Sequence, residues 1–153
     1  MSKQIEEAQK MKGAASDKDM VRLIADKFTL TAQELLETDK VLQPVALVVS
    51  EKQSVLFKVT HENPEEKQLA YAKLRAYAKL TDAHAIIAVG DGTIKTKDDV
   101  NDAILTVVRA KSGSYAIVVP YYKHDINEKQ EMIVFMDPYD WTGSEIPLIE
   151  AWW

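Results

Sequence analysis

The chain contains no cysteine. That excludes disulfides, thiolate nucleophiles and cysteine metal sites together, so the fold must hold by packing alone. Histidine is almost as scarce: His61, His84 and His124 are the only three, and no two stand four residues apart. The paired-histidine helix of a zinc protease is therefore missing. Glycine and proline number five each, too few for a collagen-like or low-complexity chain. No run approaches the roughly 18 apolar residues of a membrane span. The first twenty residues mix both charge signs without an apolar stretch, unlike a secretory leader. With a net charge of −5, the chain as a whole repels phosphate backbones and anionic lipid, so neither nucleic acid nor membrane is an expected partner. Together these absences point to a soluble, acidic, cytoplasmic protein.

What is present describes an ordinary globular chain. Its 153 residues are 46% hydrophobic and 28% charged, enough for one domain that buries roughly 70% of the surface its unfolded chain exposes. Residues 1–15, interrupted by Gly13-Ala14-Ala15, read as a mobile lead-in, and residues 16–153 as a single domain with an aromatic tail. Ser16 and Asp19 stand at capping spacing, and Met20, Val21, Ile24 and Phe28 follow on one helical face. Thr31 and Glu34 repeat that spacing before Leu35-Leu36, so this helix is expected to break near residues 29–31 and restart. Residues 45–50 and 54–60 read as strands joined by a short hairpin loop, and the unbroken apolar run 45–49 predicts cover on both faces. Asn63, Pro64, Glu65 and Glu66 form a strong helix start. That helix runs to about Leu80, with Leu69, Ala70, Ala76, Tyr77 and Leu80 on its buried side and Leu74 at the margin. Residues 84–89 form a strand, closed by a tight turn at Gly90-Asp91-Gly92.

The segment 96–109 supports two readings. Val100, Ala103, Ile104, Val107 and Val108 suit one helical face, and Thr96 with Asp99 resembles a capping box. Residues 104–108, however, are dense in β-branched side chains, which favour sheets. A loop followed by a strand is the preferred reading, with a hairpin loop at 111–114 and a partner strand at 115–122. Pro120 predicts that this last strand is an edge or is bulged there. Residues 131–136 supply the final strand. The result is an α+β domain: a single, mostly antiparallel sheet of five to six strands with helices packed on it. From about Ser16 to Met136 this order of elements resembles roadblock, longin and profilin-like scaffolds, and also small uncharacterised bacterial α+β proteins. The first resemblance implies an interaction platform.

Chemistry is thinly represented. Asp91, Asp98, Asp99 and Asp102 form the densest acidic cluster. As a loop spanning 91–102 they would hold Mg²⁺, Mn²⁺ or Ca²⁺ and activate water, the basis for a divalent-metal-dependent hydrolase, especially if Asp125 or Glu128 lay alongside. Solvated carboxylates explain the same cluster without a metal, and no resident metal or cofactor is expected. No serine sits in a nucleophile-elbow context. Lys67, Lys73, Arg75 and Lys79 scatter around their helix, as solvated side chains do. Trp141, Ile146, Leu148, Trp152 and Trp153 stand out most. A tail this apolar either seals the core or meets a partner, and tryptophan is enriched at binding hot spots. The preferred reading is a non-catalytic interaction module that binds a protein partner or self-associates as a homodimer, with those five residues as its contact set.

Overall fold

The structure, a computed structural model, describes residues 17–51, 53–59, 63–95, 100–111 and 113–142. Helix α1 (Asp17–Asp39) is followed by β1 (Val45–Val49), β2 (Ser54–Lys58), helix α2 (Pro64–Leu80), β3 (Ala85–Lys95), β4 (Val100–Ala110), β5 (Gly113–Asn127), β6 (Gln130–Phe135) and β7 (Tyr139–Trp141). All strands join one antiparallel sheet in the order β2-β1-β3-β4-β5-β6, and β7 adds to β5 beside β6. The α+β class is as expected. The sheet, however, has a further strand and curls into a half-barrel, where the sequence suggested a simple layer under helices.

The two helices lie on opposite faces of this sheet. Successive strand residues point to opposite sides, and the packing follows that alternation. Leu47, Val49, Ala85 and Ile87 meet Met20, Val21, Ile24 and Ala25 of α1. Their neighbours Ala46, Val48, Ile86 and Ala88 meet Tyr71, Leu74 and Ala78 of α2. The apolar run in β1 is therefore covered on both sides, as its composition predicts. Further along, Ala32 and Leu36 of α1 pack with Leu42, Val89, Ile104, Val119 and Tyr121. Helix α1 thus reaches from β3 across to β6, as its length of roughly 34 Å allows.

Helix α1 does not break at residues 29–31. The two threonines there satisfy themselves within the helix: Thr29 Oγ1 donates to the Ala25 carbonyl at 2.9 Å, and Thr31 Oγ1 donates to that of Lys27 at 3.0 Å. Thr29 also lies 2.7 Å from Thr106 Oγ1 of β4, both hydroxyls being buried. Helix α2 begins as expected, with Asn63 accepting from the Glu66 N–H and Pro64 in the first turn. Its buried side matches the expected one at Ala70 and Tyr77, which pack partly buried against the sheet, and differs elsewhere. Tyr71, Leu74 and Ala78 face the sheet, whereas Leu69 and Leu80 are exposed at 56% and 85%. The ridge that carries the bulky Tyr71 and Leu74 fits over Ala46 and Ala88, where the sheet leaves room.

The hairpin of β3 and β4 settles the two readings of 96–109 in favour of a strand, which begins earlier than expected, at Val100. Residues 96–99 lie outside the described residues. Gly90-Asp91-Gly92 is not a turn; it sits inside β3, opposite residues 103–105. A Cβ at Gly92 would come 2.9 Å from Leu105 Cδ1, so the glycine here serves close packing. Pro120 is likewise not on an edge strand. Its carbonyl accepts from the Met136 N–H, and a strand residue turns its nitrogen and oxygen to the same side. The missing N–H therefore faces the gap where β5 changes partner from β7 to β6, and the ladder with β4 is undisturbed.

Candidate functional site

The two sides of the sheet offer two candidate sites. The first lies on the side of β5 away from α1. Register puts Val118, Pro120, Tyr122 and His124 in one column. Opposite them run Tyr139, Met136, Val134 and Met132 in a second column. Helix α2 sits over β1 and β3 and does not extend to this end of the sheet. Tyr122, Met132, Met136 and Tyr139 are consequently 38–48% exposed, and Ile126 near the hairpin tip is 57% exposed. Trp141 borders the patch. It is half-buried on β7 against the cluster of Ala103, Leu105 and Val118. Single exposed apolar residues are commonplace; a contiguous column of tyrosine and methionine is the composition of an interface core.

Of the five tail residues singled out in the sequence, Trp141 takes part in this surface. Ile146, Leu148, Trp152 and Trp153 lie outside the described residues. The rest of the patch was not legible as a site. Tyr122, Met132 and Met136 were visible only as members of strands, and no local signal told which face a helix would cover.

The second candidate is on the α1 side, where the acidic cluster is partly assembled. Asp91 on β3 and Asp102 on β4 stand on paired strands, not in a loop. Both point to the face that carries Tyr121, whose buried hydroxyl donates to Asp91 Oδ1 at 2.7 Å. Burial pushes the Tyr121 phenol well above the usual tyrosine range, and the Asp91 hydrogen bond and the charges of Asp91 and Asp102 add to the shift. Asp98 and Asp99 lie outside the described residues. Asp125 belongs to the far end of β5 and Glu128 to the turn beyond it, and neither joins the pair. Among the described residues no three acidic or histidine side chains gather as metal ligands.

Other polar groups serve the fold. Arg22 of α1 grips Asp140 of β7 through two nitrogens at 2.8 and 3.0 Å, and Asp26 at 3.0 Å. Its guanidinium lies 5.3 Å from the centre of the Tyr115 ring. This cluster ties α1 to β7 across 118 residues. Lys111 pairs with Asp82 and holds its carboxyl below the usual range. His84 enters β3 with its backbone bridging Val49 and Lys111, and His124 is exposed on β5. A groove of about 400 Å³ between α1 and residues 41–45 is lined by Phe28, Ala32, Leu35, Leu42, Val45 and Val89.

The fold and surface of the described residues thus define an antiparallel α+β half-barrel with an exposed apolar sheet face. Comparison with protein-family models, with curated proteins and with solved structures gives no match. No described helix is long and apolar enough to cross a membrane.

Proposed function

We propose that the protein is a non-catalytic interaction module that docks a protein partner on the open face of β5, β6 and β7. One observation carries this reading: the two adjoining columns that carry Tyr122, Met132, Met136 and Tyr139, exposed at 38–48% and bordered by Trp141. A partner that covers it removes apolar area from water at roughly 25 cal/mol per Å². The roadblock, longin and profilin-like order of elements supports the same reading by analogy. The acidic net charge and the absence of cysteine fit a cytoplasmic binding protein.

The test is a triple variant, Tyr122→Ser, Met132→Ser and Met136→Ser, compared with the native chain by affinity co-purification from the source cells. The variant should keep its melting temperature within a few degrees and lose the partners that the native chain retains. Equal recovery by both would end this reading. A chain ending at Gly143 separates the sheet face from the tail, because binding that survives the truncation belongs to the face.

A second reading, a divalent-metal-dependent hydrolase, has one observation in its favour: Asp91 and Asp102 share a face beside Tyr121. A bound metal at about 100 times its Kd stabilises by roughly 2.7 kcal/mol, which raises the melting temperature by roughly 5–10 °C for a chain of this size. Mn²⁺ should give such a shift in the native chain and none in Asp91→Asn. No shift in the native chain would remove this reading.

A further inference from the structure

We propose that a second copy of this chain docks edge to edge on β6, antiparallel and centred on Ile133, so that two sheets become one. The inference rests on the interaction reading and goes beyond it, adding a contact at the sheet edge beside the open face.

The backbone indicates which groups are available. Met136 N–H donates to Pro120, and in an antiparallel ladder alternate residues turn their backbone groups to alternate sides. Met132 and Val134 therefore address β5, while Glu131, Ile133 and Phe135 turn their N–H and C=O groups outward. Among the described residues β6 ends the sheet and nothing pairs with this outer side. Natural edge strands are blunted by lysine, proline or a bulge. The other edge, β2, is five residues long and carries Lys58. Within Gln130–Phe135 there is no lysine or proline, and Glu131 is the only charge. Of these two edges, β6 is the less protected; β7, beside it, is three residues long and carries Asp140.

Charge selects both the occupant and the register. A two-fold pairing centred on Ile133 sets Glu131 opposite Phe135 of the other copy, so every outward backbone group meets another. It also sets Lys129 of one copy opposite Asp137 of the other, twice by symmetry. Both residues are exposed and flank the strand. Neighbouring registers lose this match. Centring on Glu131 stacks Glu131 on itself, centring on Val134 sets Glu131 against Asp137, and centring on Met132 sets Lys129 against Phe135. Like charges directly opposite each other destabilise a strand pair. In the favoured register Met132 meets Val134 of the other copy on the open face, with Tyr122 one strand behind. The exposed columns of the two copies merge into one.

The full chain should show a concentration-dependent monomer–dimer equilibrium in sedimentation velocity. Lys129→Asp or Asp137→Lys alone should weaken the dimer roughly tenfold, since each turns two attractive contacts repulsive. The double exchange should restore it. Met132→Cys with Val134→Cys, in a chain otherwise free of cysteine, should cross-link two copies under mild oxidation. The amides of Ile133 and Phe135 should gain hydrogen-exchange protection only as concentration rises. A monomer at every concentration overturns the inference. So does protection of those two amides in the dilute monomer, because the chain's own residues would then cover the edge. A dimer indifferent to the charge exchange and to the cysteine pair also overturns it, while leaving the interaction reading to be judged separately by the triple serine variant.

Discussion

The sheet is finished at one end and unfinished at the other. Beneath β1 and β3, α1 and α2 cover both faces, and Ile86 and Ile87 point in opposite directions yet are both fully buried. At β5 and β6, among the described residues, only the α1 side is covered. There Tyr121 is 2% exposed and the next residue, Tyr122, is 48% exposed. The two ends are built of similar residue types. What separates them is the reach of a helix, so exposure at the second end follows from the arrangement of elements and not from composition. Under the proposed reading, a partner docks where the chain's own second helix stops.

The largest expected effect tests the finished end. Ile86→Ala and Ile87→Ala should each cost about 2–5 kcal/mol in urea denaturation, as deletions in a core that cannot collapse around them. Met132→Ala should stay within about 0.5 kcal/mol in the monomer. Equal losses at the two ends would erase the contrast. Next in size is the buried hydroxyl pair under α1. Thr29 donates to the Ala25 carbonyl, so Thr106 is the donor between the two hydroxyls. Thr29→Val strands the Thr106 hydroxyl and should cost about 1–3 kcal/mol, whereas Thr106→Val leaves Thr29 its carbonyl and should cost about 1 kcal/mol. The double variant should lose less than the sum, measured as a mutant cycle.

A smaller effect is expected at the tie between the ends of the chain. Arg22→Met removes two half-exposed ion pairs and should cost no more than about 1 kcal/mol, shrinking further in 0.5 M salt. Its hydrogen-exchange signature should be confined to β7. The smallest effect at neutral pH belongs to Tyr115, whose phenol burial pushes up to about 12. An unfolded tyrosine releases its proton near pH 10. Between those values the folded chain still holds the proton and the unfolded chain does not, so stability falls as pH rises above about 10 and is unaffected below. Tyr115→Phe should match the native chain at pH 7 and lose less stability on going to pH 11.

Local chemistry was legible in the sequence. Asn63, Pro64 and the two glutamates mark the start of α2 because capping is decided within four residues. The unbroken run of β1 announced two-sided burial, and the β-branched density of 104–108 outweighed the helical spacing in the same segment. Position in the sheet was not legible. Pro120 looked like an edge residue because its missing N–H is harmless only where no donor is wanted, and that condition is met inside β5 by the gap between two partners. Gly90-Asp91-Gly92 looked like a turn because nothing nearby reveals that Leu105 needs the space over Gly92. The rotation of α2 away from Leu69 and Leu80 likewise depends on alanines from β1 and β3. Of the candidate site, Trp141 was visible from the sequence. The column beside it required knowing which face α2 leaves bare.

Helix α1 has a consequence for the timing of synthesis. It is complete at Asp39, yet Thr106 and Val108, which close over it, belong to a strand that ends at Ala110. At 5–20 residues per second a ribosome takes roughly 4–14 s to cover that distance. Throughout that interval Ile24, Ala25, Ala32 and Leu36 have only β1 and then β3 to pack against. The nascent chain must therefore carry a half-covered apolar helix for seconds. Slower translation between α2 and β4 should raise the fraction lost to aggregation, while changes in pace after Phe135, once β5 and β6 have also joined the helix, should matter little.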